Sequence, residues 1–213
     1  MFYVLIPIGV AIFPFVWYAA AGTGEALGGE LGIIENMTVL FLLIAIYFSI
    51  RSLIQARRHS QAPQMLRPWL AIMILGSVYF AGEELSWGQH FVGWNTPENW
   101  SSLNDQEETN LHNTSFLFDQ FPRMVLTIAI LFGGVLAPIY RKFRRIQLSK
   151  TTVWYWVFPA LECLPASLLV LLYRPALDLV GADFVSAGEM KENAIALFIM
   201  IYTDSIRRRL IAP

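Results

Sequence analysis

The sequence predicts an all-α protein, a polytopic bundle of about six transmembrane helices, from three observations. The 213-residue chain is 56% hydrophobic and only 15% charged, which leaves too little polar surface to cover a soluble core of this size. Six segments are apolar and long enough to cross a membrane. The basic residues cluster in alternate connections between those segments. We therefore expect residues 1–213 to form a single integral membrane domain.

The six predicted spans each have close to the twenty apolar residues that a helix needs to cross the hydrocarbon core. The first has no basic residues before it, unlike a signal peptide, so we treat it as a retained span. The third and sixth are the most polar, and proline inside a span is expected to kink the helix locally. In the sixth, the polar residues form one stripe from Glu189 to Asp204, which should face protein. The predicted spans are residues 2–21, 33–54, 68–87, 122–140, 153–173 and 189–206.

Lysine and arginine predict the orientation, because short basic loops are retained on the cytoplasmic side. Twelve of the 15 basic residues lie in the connections after spans two and four, in the last residues of span two (Arg51) or in the C-terminal tail. We therefore expect a multi-pass protein of a bacterial inner (cytoplasmic) membrane, with both termini in the cytoplasm and membrane lipids as its surroundings. The twelve are Arg51, Arg57, Arg58, Arg67, Arg141, Lys142, Arg144, Arg145, Lys150, Arg207, Arg208 and Arg209.

The connection between spans three and four, about residues 88–121, carries most of the functional information. It is long for a connection without regular structure, and such loops are usually functional or disordered. Its aromatic content suits the headgroup region better than a solvated coil. We predict an interfacial or re-entrant external loop. The aromatic residues in and beside it are Trp87, Phe91, Trp94, Trp100, Phe116, Phe118 and Phe121.

Carboxylates and a histidine follow one another where span three leaves the membrane. If the helix continues past Gly88, Glu83, Ser86 and His90 lie on one stripe, with Glu84 about a quarter turn away. A charged residue near a span centre costs roughly 2.5–3.5 kcal/mol, and less near an interface, so a compensating partner is expected. The candidates are a cation, a histidine, Arg123 or a proton shared between carboxyls.

A second polar cluster, Glu107 to Asn113, follows on the same predicted side. Together the clusters supply carboxylate, imidazole and amide groups that can bind a divalent metal ion or perform acid–base chemistry. The alternative interpretation is that they cap helix ends and bind the loop to itself. The predicted catalytic residues are Glu83, Glu84, His90 and His112; the predicted metal ligands are Glu84, His90 and His112; and the predicted substrate-binding residues are Trp87, Gln89, Asn110, Asn113, Arg123 and Glu192.

Several chemistries are excluded by what the sequence lacks. The single cysteine, Cys163, permits neither an intramolecular disulfide nor a thiolate zinc cluster. There is no HExxH, GxSxG or P-loop motif, and the charge distribution does not indicate a nucleic-acid partner. Ser86 and His90 have the i, i+4 spacing of a nucleophile and base, but no third orienting group can be named.

The motif from Glu83 to Gln89, EELSWGQ, followed by ETNLHN from Glu108 to Asn113, resembles a signature of bacterial multi-pass membrane proteins without an assigned activity. The adjacent glutamates also look like the first motif of the CAAX-protease and bacteriocin-processing family. That resemblance implies an intramembrane enzyme in which glutamate and histidine activate water. The family's later motifs place histidine within further spans, whereas His112 is expected to lie in the external loop here.

Two functions follow as expectations from these residues. The first is a membrane-embedded enzyme, a hydrolase or transferase, that acts on a lipid or lipid-linked substrate at the outer face through the glutamate and histidine residues, with a divalent metal ion as a candidate cofactor. The second is a non-catalytic subunit of a larger membrane protein complex, with the aromatic-rich external loop as the docking surface for a partner. A proton or cation carrier is less well supported, because the six spans show no inverted repeat.

Overall fold

The computed structural model describes residues 1–29, 32–98, 109–111 and 114–211, and each of the six predicted segments contains helix in it, the fifth with a break at 158–160. None of these residues lies in a β-strand. The predicted external loop falls largely on residues 99–108 and 112–113, outside the described residues, and it stays a prediction. The helices are α1 (Phe2–Ala21), α2 (Ile33–Ala56), α3 (Leu66–Glu84), α4 (Gln89–Val92), α5 (Phe116–Ala129), α6 (Ala137–Phe143), α7 (Val153–Val157), α8 (Leu164–Val180) and α9 (Ala187–Ile211).

Four helices in the described part of the chain are long and apolar enough to cross a membrane: Phe2–Ala21, Ile33–Ala56, Gln120–Phe143 and Val153–Val180. The third of these joins α5 and α6 through a π-helical segment, Ile130–Leu136. Helices α3 and α9 are less apolar than these four, because both carry charged residues near their ends.

Helix α9 is the centre of the bundle, and α2 packs along it more extensively than any other helix of the described chain. Nearly every residue of α9 from Asn193 to Ile206 is buried, which confirms that its polar stripe faces protein. Asn193 Nδ2 donates to Thr38 Oγ1 (3.1 Å) and to the Ile34 carbonyl (3.2 Å) on α2. Small buried residues on α2 allow this close packing: Thr38, Ala45, Ser49, Ser52 and Ala56.

Asp204 joins the C-terminal end of α9 to the N-terminal end of α1. Its carboxylate is 6% exposed and accepts a hydrogen bond from the Tyr3 hydroxyl (2.7 Å). Arg207 and Arg208 form ion pairs with the same carboxylate, at 2.6 and 2.8 Å. A buried carboxylate with these partners is compensated, so the structure gives Asp204 an architectural role.

The fifth predicted span is interrupted at 158–160 rather than kinked. Phe158 is extended (φ −68°, ψ 132°) because the following Pro159 disfavours helical geometry before it. The break exposes backbone carbonyls that need hydrogen-bond donors. Arg141 donates to the Pro159 carbonyl (2.8 Å), and Arg209 donates to those of Tyr155 and Phe158. Two arginines from other helices therefore stabilise the break.

Candidate functional site

Helix α3 ends at Glu84, and the chain then turns sharply through three residues in the left-handed region. Ser86 (φ 44°), Trp87 (φ 55°) and Gly88 (φ 94°) adopt this conformation in succession. The first two cost about 1–3 kcal/mol each, because only glycine tolerates such angles freely. The helix therefore ends three residues before the predicted end of span three and does not continue past Gly88. The condition for placing Glu83, Ser86 and His90 on one stripe is not met, because His90 lies in the separate helix α4.

Trp87 folds back onto the last turn of α3, which is why the helix stops there. Its indole lies over Gly82, where a Cβ atom would come within 2.7 Å of the ring. The indole Nε1 donates to Glu83 Oε1 (2.8 Å). The glycine and the glutamate of the GEELSW sequence therefore hold the tryptophan in place.

Glu83 also binds the far end of the predicted external loop. Its side chain is 3% exposed, and Oε2 accepts a hydrogen bond from the backbone N–H of Leu111 (2.7 Å). Beside it, Asn110 Nδ2 donates to the buried hydroxyl of Ser86 (3.1 Å). Hydrogen bonds to a carboxylate are roughly twice as strong as neutral ones. Both oxygens of the buried Glu83 carboxylate thus accept a hydrogen bond, one from Trp87 in the turn and one from Leu111 in the loop.

The Gln89 side chain makes two further hydrogen bonds, one to the segment 109–111 and one to Thr96. Its Oε1 accepts from the Thr109 backbone N–H (2.6 Å), and its Nε2 donates to Thr96 Oγ1 (2.9 Å). Trp94 Nε1 donates to Thr109 Oγ1 (3.1 Å). We call Glu83, Ser86, Gln89 and residues 109–111 the loop anchor. Three residues predicted for substrate or catalysis, Glu83, Gln89 and Asn110, contribute side chains to it.

A cavity of about 480 Å³ runs beside the loop anchor and along the bundle. Stripes at helical spacing on α3, on α5 with the π-helical segment and on α9 line it, together with residues 157–159 at the helix break. Its walls are apolar over most of their length, and its rims are exposed at residues such as Ile72 and Tyr79 on α3 and Phe118 on α5. We call this cavity the groove. The stripes include Ile72, Met73, Gly76 and Phe80 of α3, Leu126, Ala129 and Ile130 of α5 and the π-helical segment, and Ile195, Phe198 and Ile199 of α9.

The ionisable side chains of the groove lie at one end. Glu83 and Glu84 of α3, Arg123 of α5 and Glu192 of α9 line it there. Arg123 Nη1 lies 3.2 Å from Glu192 Oε1, and both side chains are about one-sixth exposed, at 17% and 16%. Glu84 is within electrostatic range of both. Glu83 is already engaged in the loop anchor, so Glu84 is the carboxylate of the α3 pair that faces this polar end.

More acidic groups surround the polar end of the groove. Glu35 of α2 and Glu189 of α9 are within electrostatic range of Glu84, as is Glu192. Glu189 Oε1 accepts from the Gly29 backbone N–H (3.3 Å). Among the described residues, four carboxyl groups therefore lie near the Arg123 guanidinium, and the Lys191 ammonium is within electrostatic range of Glu192. This arrangement can move a proton between carboxyls or bind a positively charged group.

The opposite end of the groove is closed by neutral hydrogen bonds. Trp69 Nε1 donates to the Tyr202 hydroxyl (2.7 Å), which in turn donates to the Val157 carbonyl at the helix break (2.6 Å). Along α3, Trp69 and Glu84 are separated by about 22 Å at 1.5 Å per residue. The groove is therefore long, apolar inside and charged at one end.

The structure brings Glu84, Arg123 and Glu192 together, and it assigns Glu83, Gln89 and Asn110 to the loop anchor. Trp87 covers Gly82 and remains 49% exposed. His90 lies in α4, whereas His112 and Asn113 lie outside the described residues. Within the described ranges, no group of three histidine, cysteine, aspartate or glutamate side chains could hold a metal ion. The predicted ligand set of Glu84, His90 and His112 includes an undescribed member and stays a prediction.

The residues that sequence reasoning missed are the apolar walls of the groove. A stripe of leucine, isoleucine and phenylalanine has the same pattern whether it faces lipid, protein or a cavity, so no local signal distinguished them. Comparison with protein-family models, with curated proteins and with solved structures finds no match for this chain.

Proposed function

We propose that this protein is a six-span membrane enzyme acting on a lipid or lipid-linked substrate at the outer face. The observation that carries the proposal is the groove, which is apolar along its length and charged at one end. An amphipathic molecule has the same distribution, with an apolar chain and a polar group at one end. Its hydrocarbon chain would lie along α3 and α5, and its polar group would meet Glu84, Arg123 and Glu192. A volume of about 480 Å³ lies within the range of small-molecule sites.

The six-span topology is supported by the lengths and burial of α3 and α9. The 19 residues of α3 extend about 28 Å and the 25 of α9 about 37 Å, against a hydrocarbon thickness of about 30 Å. Helix α9 is surrounded by protein, so it needs less apolar character than a lipid-facing helix. Its arginines 207–209 end on the side of the basic loops, which supports cytoplasmic termini.

Glu84 is the residue we propose as general base. In a hydrolysis, Glu84 would take a proton from water while the water oxygen forms a bond to the acyl carbon or phosphorus of the substrate. The bond to the leaving oxygen breaks, and the proton passes from Glu84 to that oxygen. Arg123 would stabilise the negative charge that develops on the substrate. In a transfer, the hydroxyl of a second substrate takes the place of water. His90 and His112 remain proposed proton carriers.

Occupancy of the groove can be tested with a matched pair of glycine substitutions. Gly76 lines the groove and Gly9 lies on α1, and at both positions an added Cβ meets nothing within 4 Å. The Gly76→Leu variant should lose lipids that co-purify with the wild type in mild detergent, as measured by native mass spectrometry. The Gly9→Leu variant should retain them. Equal lipid content in all three proteins would contradict the proposed binding mode.

Catalysis can be tested separately with Glu84→Gln. Proteoliposomes made from a total bacterial lipid extract are incubated with each protein, and the lipid composition is followed by mass spectrometry. The wild type should convert at least one lipid class, whereas Glu84→Gln should bind lipid without converting it. Glu25→Gln, an exposed carboxyl in the loop after α1, is the control. Conversion that is unchanged in Glu84→Gln would refute the assigned base.

A second candidate, a non-catalytic subunit of a membrane complex, is favoured by one observation. Beside the loop anchor, α4 presents Phe91 (67% exposed) and Val92 (75% exposed), with Trp94 (38% exposed) next to them. Apolar groups held outward by a rigid anchor suit a docking surface. This function predicts that a partner co-purifies with the wild type but not with a Phe91→Ser/Val92→Ser variant, and that Glu84→Gln keeps full function in a deletion strain.

A further inference from the structure

A second cavity, of about 640 Å³, lies at the end of the molecule opposite the loop anchor. It is bounded by α6, the turn after α6, the helix break at 158–160 and the C-terminal end of α9. We call it the basic pocket. Four cations line it: Arg141, Lys142, Arg145 and Arg209. No carboxylate is among the described residues that line it. Its lining therefore carries four positive charges, and the Glu162 carboxylate, which follows the lining residue Leu161 but is not itself part of the lining, is within electrostatic range of Arg209 and offsets part of that charge.

Two of the four cations are fixed in position by backbone carbonyls. Arg141 donates to the Ala137 and Pro159 carbonyls (3.3 and 2.8 Å), and Arg209 donates to carbonyls at the helix break. Each also stacks over an aromatic ring, Phe158 and Tyr155 respectively. Neutral carbonyls orient a guanidinium but do not cancel its charge. Positive charges fixed in this way attract an anion at little entropic cost.

Arg145 adds a rim cation at a strained position. Its φ is 54°, in the left-handed region where a helix C-terminus usually has glycine. The Ile146 backbone N–H donates to the Arg141 carbonyl (2.9 Å), so the chain reverses direction at this point and closes one side of the pocket. Lys142, also exposed, lies one turn earlier on α6. The pocket thus has two fixed cations inside and two exposed ones at the rim.

We propose that the basic pocket binds the phosphate of an anionic phospholipid on the side of the basic loops. The four cations would meet the phosphate, and the apolar lining residues Ile146, Leu148 and Leu161 would contact the adjoining glycerol and acyl groups. Basic pockets between helices at the cytoplasmic interface suit such headgroups. The proposal uses neither Glu84 nor the groove, so it stands or fails independently of the proposed enzyme activity.

The test measures binding of dioleoylphosphatidylglycerol to the purified protein in detergent by native mass spectrometry. Arg145→Gly is the first variant, because glycine suits the left-handed position and the fold should be retained or stabilised. Loss of one cation, at roughly 1 kcal/mol, should weaken binding about fivefold. The double variant Lys142→Gln/Arg145→Gln should weaken it about 30-fold.

Arg57→Gln/Arg58→Gln is the matched control, since both residues are exposed beyond α2 and the same charge is removed. It should weaken binding much less than the pocket pair. Equal weakening by the two pairs would overturn the proposal, as would equal binding of dioleoylphosphatidylcholine, which has no net charge. Inorganic phosphate is the probe for a soluble anion. If it displaced the lipid as effectively as added phosphatidylglycerol does, the assignment to a lipid headgroup would be refuted.

Discussion

Glu83→Ala is expected to release the segment at 109–111 while leaving the helices in place. The Glu83 carboxylate accepts hydrogen bonds from the Leu111 backbone N–H (2.7 Å) and from Trp87 Nε1 (2.8 Å). A hydrogen bond to a charged group contributes about 1.5–3 kcal/mol. Loss of the Leu111 bond should therefore raise amide exchange at that position about 10- to 150-fold, because exchange reports the local opening equilibrium.

Hydrogen–deuterium exchange followed by mass spectrometry, on a peptide that covers 109–111, is the assay. The neighbouring substitution Glu84→Ala is the matched control, because Glu84 faces the polar end of the groove and takes no part in the loop anchor. Exchange at 109–111 should stay at the wild-type rate in that variant. If Glu83→Ala left the rate unchanged, or if both variants raised it equally, the role of Glu83 as an anchor would be refuted.

Three further substitutions test the turn after α3, the packing of α9 against α2 and the closed end of the groove. Gly82→Ala would place a Cβ atom 2.7 Å from the Trp87 ring, so it should displace the indole and lower the free energy of unfolding by about 1–3 kcal/mol. The tryptophan fluorescence maximum should shift in this variant but not in the control, Gly76→Ala, where an added Cβ meets nothing within 4 Å. Asn193→Ala removes the donor to Thr38 and Ile34, and thermal unfolding in detergent should show a loss of about 0.6–1.7 kcal/mol that Thr38→Ala reduces in a double-mutant cycle. Tyr202→Phe removes the hydrogen bonds to Trp69 and Val157 and should cost about 1–3 kcal/mol in the same assay; an unchanged unfolding temperature would contradict the closure of the groove by this pair.

The helices could be predicted from the sequence because apolar length is a direct physical requirement of crossing a bilayer. The polar stripe of α9 was also predictable, since Asn193 and Asp204 on one side of an otherwise apolar helix must face protein. The burial of both residues confirms this. The turn at Ser86 to Gly88 was not predictable. It depends on the Trp87 ring lying over Gly82, a contact that helical periodicity does not represent.

The basic pocket shows why counting charges along the chain predicts an orientation but does not predict a binding site. Arg141 and Arg209 are 68 residues apart in the sequence. In the sequence they are indistinguishable from Arg57 or Arg58, since all four belong to the basic residues of the alternate connections and the C-terminal tail. They meet because Pro159 breaks the helix between them and its free carbonyls attract both guanidinium groups. A proline that sequence analysis treats as a local kink therefore determines where two cations from distant segments come together.

The adjacent carboxylates of the EELSW motif have different environments, and this separates the two interpretations of the motif. Glu83 is 3% exposed and holds Trp87 and Leu111 through its two oxygens, as the structural interpretation requires. Glu84 faces Arg123 and Glu192 at the end of the groove, as the catalytic interpretation requires. The two are therefore not a symmetric catalytic pair. Substitution of Glu83 should alter the protection of the 109–111 amides from hydrogen exchange, whereas substitution of Glu84 should alter lipid conversion at the groove. If substitution of either residue abolished both properties, the loop anchor and the groove would be a single site.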